Sequence, residues 1–164
     1  MCQIPYEVQI QSALYRFIPD SHSFNDCTDK PELANFSKFM DNSELAIYYG
    51  NEELYINGSV VIVEDLKSDD RLMFYGELKK LILKTWLPTR FPVVILDFCK
   101  AMMDVNSLVY KYWTQNVLEE DRQCPENGVR YRLEPFFTKL EWDSFVNMEG
   151  RYKVVCNPIH EARN

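Results

Sequence analysis

A two-residue period runs through residues 45–63, LAIYYGNEELYINGSVVIV. Leu45, Ile47 and Tyr49 alternate with Ala46 and Tyr48, and Gly50-Asn51 interrupts. Leu54, Ile56, Gly58, Val60 and Ile62 then share one face, with Tyr55, Asn57, Ser59, Val61 and Val63 on the other. Successive side chains of an extended strand point to opposite faces, so this pattern predicts a β-hairpin closed by a tight Gly50-Asn51 turn. The same period returns at Tyr6, Val8, Ile10, Ser12 and Leu14, at Tyr131 and Leu133 between Arg130, Arg132 and Glu134, and at Tyr152 and Val154. Arg71 to Trp86 reads as another long strand, less cleanly patterned. Pro19 to Pro31 is a polar connector and Asp65 to Asp70 a turn. The prolines of WLPTRFP, Trp86 to Pro92, rule out regular helix there.

The period switches once. From Asp97 to Val117, DFCKAMMDVNSLVYKYWTQNV, the residues Val105, Leu108, Val109, Tyr112, Trp113 and Val117 follow helical spacing, with Asp104 placed to cap the N-terminus. Strands first, one principal helix around residues 97–118, then strands again predict a mainly-β fold, an antiparallel β-sandwich or β-cup rather than βαβ winding. The 164 residues form one domain, 1–164.

Hydrophobic content of 46% and aromatic content of 14% suffice for a packed core. The formal charge is −7 and no Lys/Arg-rich block occurs, which argues against nucleic acid or an anionic membrane surface as partner. The longest apolar runs, VVIV and FPVVILDF, fall far short of the ~20 residues of a transmembrane segment. No signal-peptide core follows Met1, since Gln3 to Glu7 interrupt it.

No catalytic or metal constellation stands out, and no cofactor is expected. The two histidines, His22 and His160, lie in a polar stretch and near the end of the chain, no cysteine pair has zinc-ligand spacing, and no Gly-rich phosphate loop occurs. Of the five cysteines, Cys99 and Cys124 bracket the helical stretch. A disulfide between them is the better reading, with two buried thiols as the alternative. Asn35-Phe-Ser and Asn57-Gly-Ser are N-glycosylation sequons, and Asn57-Gly58 reads equally as a bulge or turn. Trp86, Phe91, Phe98, Met102, Met103, Tyr110, Tyr112 and Trp113 form an aromatic and methionine-rich stripe, of which Trp86, Phe91, Met102, Met103, Tyr110 and Trp113 are the candidate cavity walls. Such a stripe builds a solid core or lines an apolar cavity, and methionine suits an adaptable apolar surface.

INGSVVIVEDL, DRLMFYGELKKL, TWLPTRFPVVILDFCKAMMD, YKYWTQNV, a cysteine soon after, EPF and GRYKVV occur here in that order. The order resembles the insect chemosensory B family, small secreted proteins related to the ganglioside activator within the lipid-recognition superfamily. The resemblance covers residues 5 to 155 and is most specific in the DFC…MxD…YKYWT block and in GRYKVV. It implies an immunoglobulin-like β-sandwich or β-cup around an apolar cavity, and secretion with a Cys99–Cys124 bridge. It also implies a partner for Cys27 near the C-terminus. The family runs on through a further strand with a final cysteine, whereas this chain reads CNPIHEARN. Either Cys156 serves as that partner or the last strand is missing.

The expected function is non-enzymatic. A secreted β-cup takes up a hydrophobic small molecule, a lipid or a cuticular-hydrocarbon-like pheromone, and presents it to a sensory-neuron receptor in gustatory detection. The alternative is a secreted, solid-core interaction module acting on a receptor through its acidic surface.

Overall fold

The computed structural model describes residues 12–18 and 36–162. Within them the chain forms β1 (Ala13–Arg16), α1 (Phe36–Phe39), β2 (Met40–Asp41), β3 (Leu45–Gly50), β4 (Glu53–Ile62), β5 (Arg71–Ile82) and β6 (Thr85–Ile95). Two short helices follow, α2 (Phe98–Met103) and α3 (Leu108–Tyr112), then β7 (Arg130–Thr138), β8 (Glu141–Ser144) and β9 (Tyr152–Glu161). The protein is mainly β and its strand pairs are antiparallel. β4 is the centre of one sheet, with β7 along one edge and β3 and β2 in succession along the other. β5 is the centre of the second, ordered β6-β5-β9, and β1 pairs with β8 as a separate ribbon.

The alternation read at Leu54–Ile62 holds in space: Leu54, Val60 and Ile62 are buried. Ile62 and Val60 from the first sheet, with Tyr131 and Leu133 of β7, pack in one cluster with Leu72 and Phe74 at the start of β5. Phe39 meets Phe74 edge-on at 5.6 Å, and Phe98 meets Phe74 at 5.1 Å. The two sheets thus share a core only where β5 begins. Farther along β5, Leu78 and Lys80 lie outside this cluster.

The first hairpin turns one residue later than expected. Gly50 pairs with Glu53, and Asn51 and Glu52 occupy the turn with φ of 51° and 64°. A two-residue hairpin loop whose twist matches its strands needs positive φ at both positions, and Asn tolerates it best among residues other than glycine. Gly58, with φ 112°, sits where the register between β4 and β7 shifts, and an added Cβ would lie 2.0 Å from the Glu44 carbonyl oxygen. The extra residue of that shift lies in β7, where Glu134 and Pro135 stand opposite Asn57.

The expected single strand from Arg71 to Trp86 is two strands. The chain reverses at Leu83-Lys84, both with positive φ (47° and 68°), and no Gly, Asn or Pro marks the place. WLPTRFP becomes part of β6, whose prolines are tolerated because β6 is an edge strand paired only with β5. The register shifts between Glu77 and Lys79, opposite Pro92 and Pro88.

The helical stretch falls where the periodicity placed it, as α2, α3 and two 3-10 turns, Thr114–Asn116 and Glu119–Asp121. Asp97 caps α2, its carboxylate accepting from the Lys100 backbone N–H at 3.1 Å, and Ser107 caps α3. Asp104, expected as an N-cap, instead ends α2 and accepts from the Asn106 N–H at 2.9 Å. Short polar side chains that bond locally favour such turns over helix continuation. Val109, Trp113 and Val117 face the core, while Val105 and Leu108 are exposed.

Of the strand expected around Tyr6 to Leu14, residues before 12 lie outside the described residues, and Ala13–Arg16 pairs with Glu141–Ser144. The Pro19–Pro31 connector lies outside them too. Past GRYKVV, β9 continues through Cys156 to Glu161, paired with β5 along its length.

Candidate ligand pocket

The exposed half of the β5-centred sheet carries the most suggestive site. Register partners in an antiparallel pair project to the same face, and residues two apart along a strand do likewise. One face therefore carries, from the core outward, Phe74 with Ile95 and Pro158, then Gly76 with Val93 and Cys156, then Leu78 with Val154, then Lys80 with Tyr152. Gly76 forms a low floor: a Cβ there would lie 3.2 Å from both Val154 Cγ1 and Val93 Cβ. Val93 and Val154 are 41% and 50% exposed, so this apolar strip is open to solvent rather than covered by the other sheet.

At its outer end lies a half-open pocket of about 380 Å³. Lys80, Thr89, Arg90, Phe91 and Tyr152 line it from the sheet, and Val146, Asn147 and Met148 from the β8–β9 loop. Local bonds hold both walls. The Phe91 N–H donates to Thr89 Oγ1 at 3.2 Å between the two prolines of β6. In the loop, the Val146 N–H donates to Ser144 Oγ at 3.0 Å and the Glu149 N–H to Asn147 Oδ1 at 2.8 Å. These turns fold Met148 inward, where it is buried. Gly150, at φ 129°, leaves room for the Lys80 side chain, since a Cβ there would stand 3.0 Å from Lys80 Cε. The Lys80 ammonium rests 5.3 Å from the centre of the Tyr152 ring, an attraction between cation and π face.

The six candidate wall residues of the aromatic and methionine stripe do not converge. Phe91 lines the pocket. Met102 is fully buried in the core, and Trp113 packs at its edge with its ring 5.9 Å from Tyr131. Tyr110 is half-buried on α3, and Met103 is half-exposed at the end of α2. Trp86 lies on β6 beneath the Lys153 ammonium, 4.9 Å from its ring centre. Lys80, Thr89, Arg90, Val146, Met148 and Tyr152 were invisible as a group, because strand register and one loop bring them together. Only their alternation within β5 and β9 could have hinted at a common face.

Cys99 and Cys124 are bridged, their Cα atoms 5.0 Å apart. Cys27 and Asn35 lie outside the described residues. Cys156 is exposed on β9, and Asn57 is half-buried in β4 opposite Ala46. His160 sits between two carboxylates, Nε2 3.6 Å from Glu64 and Nδ1 3.9 Å from Asp70. His22 is outside the described residues. Among the described residues no group of three or more His, Cys, Asp or Glu side chains is arranged to hold a metal ion, and no helix is long and apolar enough to cross a membrane.

Charge elsewhere is locally paired. Ser59 donates to Glu44 at 2.6 Å and Arg130 bonds both, which lowers the Glu44 carboxyl, the Ser59 bond first and Arg130 second. Arg132 grips Asp121 through Nε at 2.7 Å and Nη2 at 2.9 Å, holding that carboxyl below its ordinary value.

No protein-family model matches the chain, and no curated protein matches it.

Proposed function

We propose that the protein is a non-enzymatic binder of a hydrophobic, lipid-like molecule, laid along the β5–β6–β9 face with one end in the pocket. The observation that carries this reading is the continuity of the strip Gly76, Leu78, Val93 and Val154 with the pocket walls Phe91, Met148 and Tyr152. Solvent-facing apolar surface of this kind costs free energy until something covers it, and each methylene buried on it contributes about 0.8 kcal/mol. The pocket's volume of about 380 Å³ falls within the range of small-molecule sites, roughly 300–1,000 Å³. Secretion and gustatory detection, with delivery to a sensory-neuron receptor, belong to the same proposal and rest on the family resemblance; the Cys99–Cys124 bridge accords with an oxidising compartment.

The test is binding of a neutral apolar fluorophore such as N-phenyl-1-naphthylamine to the native chain. Val154→Asp places a charge on the strip, while Ile159→Asp places one on the opposite face of the same strand, where Ile159 pairs with Met73. Both sites are partly exposed, so neither substitution forces a charge into the core. We expect Val154→Asp to weaken binding at least about tenfold and Ile159→Asp to leave it within about twofold. No binding to the wild type would favour the alternative, an interaction module. That alternative draws support from the aromatic row Tyr48, Tyr55 and Phe137 on the outer face of the β4-centred sheet, with Tyr48 and Phe137 well exposed.

A further inference from the structure

The charge of the pocket runs against the charge of the chain. The chain carries −7 overall, yet among the described residues the pocket is lined by two cations, Lys80 and Arg90, and by no acid. Among the described residues neither has a carboxylate in salt-bridge range, whereas Arg16, Arg71, Arg130 and Arg132 each do. The remaining polar groups, Thr89 and Asn147, are neutral. The Lys80 side chain runs beside Gly150, and the attraction of its ammonium to the Tyr152 ring keeps it at the pocket.

Resting on the binding reading above, we infer that the pocket selects a single-chain amphiphile with an anionic head, a carboxylate or a phosphate monoester, placed between Lys80 and Arg90. Its tail runs up the sheet past Leu78 and Val154 toward Gly76. Lys80 to Gly76 is four strand residues, about 13 Å at the rise of an extended chain. A purely hydrocarbon ligand leaves both cations beside an apolar body with no counter-charge. A cationic head is repelled. An anionic head gains charge-assisted hydrogen bonds that water alone would otherwise supply.

The experiment is displacement of the neutral fluorophore from the native full chain by four twelve-carbon amphiphiles: laurate, dodecyl phosphate, dodecanol and dodecyltrimethylammonium. We expect at least one of the two anions to displace at about tenfold lower concentration than dodecanol, and the cation to be weakest. The tighter anion identifies the head. That preference should shrink as salt rises from about 20 to 500 mM, because the cations are partly exposed. In the K80Q/R90Q variant the anion and dodecanol should come within about twofold of each other. Equal displacement by anions and dodecanol in the wild type, or a tenfold preference that survives K80Q/R90Q, overturns the anionic head and leaves the binding reading standing. Should K80Q/R90Q bind nothing, the wild-type salt series decides, and a preference independent of salt overturns the inference. Displacement by none of the four, with the fluorophore still bound, overturns it too; failure of the fluorophore itself overturns the binding reading.

Discussion

Tyr131 shows how one buried polar atom ties two elements. Its ring is fully buried in the core beside Val60, and its hydroxyl donates to the Gln123 carbonyl oxygen at 3.0 Å, joining β7 to the segment that carries Cys124. Burial pushes the phenol pKa well above its ordinary value, and the negative charge of Glu126 adds to the shift. Because the folded value lies above the unfolded one, the folded state favours the neutral phenol. That contribution is fully present below the unfolded value near 10 and is lost as pH rises from there through the folded value. Chemical denaturation measured from pH 8 to 11.5 should therefore show stability falling above about pH 10, by up to about 1.4 kcal/mol per pH unit from this group. Tyr131→Phe should flatten that part of the fall. An unchanged alkaline limb in the variant would mean that the hydroxyl is not buried as described.

At the scale of elements, the two hairpins solve one problem with unequal means. Both turn in two residues with positive φ. The first uses Asn51-Glu52 and the second Leu83-Lys84. A non-glycine residue in the left-handed region costs about 1–2 kcal/mol, and Leu83 recovers nothing by burial, since it is 94% exposed. The L83N/K84G variant should thus raise stability by about 1 kcal/mol, read as a higher urea midpoint at constant slope. A lower midpoint would show that the strand reversal lies elsewhere. Gly58 in β4 works the other way: glycine is required there because the Glu44 carbonyl occupies the space of a side chain. The hairpin at residues 45–63 was legible because alternation and a turn signal coincide. The second hairpin was not, because the turn residues Leu83 and Lys84 belong chemically to strands.

For the whole molecule, the Cys99–Cys124 bridge is the one covalent tie between the helical segment and the approach to β7. It closes a loop of 25 residues, and cutting it should cost about 3 kcal/mol in the chain-entropy model. Calorimetry with and without reductant should show the Tm drop by roughly 6–12 °C. An unchanged Tm would remove the bridge from the account of stability. The sequence by itself determined the class of fold, because a two-residue period buries one face of a strand and no other regular structure does so. It also determined where the helical turns fall and which two cysteines bracket them. Only the tertiary structure decided the site. Lys80, Arg90, Phe91, Met148 and Tyr152 meet because β5 pairs with both β6 and β9 in one register and the β8–β9 loop folds over their end. It likewise sorted the aromatic and methionine stripe, sending Met102 into the core and Met103, its neighbour, to the surface. The physical reason is range: periodicity reports which side of its own element a residue faces, and says nothing of which element stands opposite or whether any does.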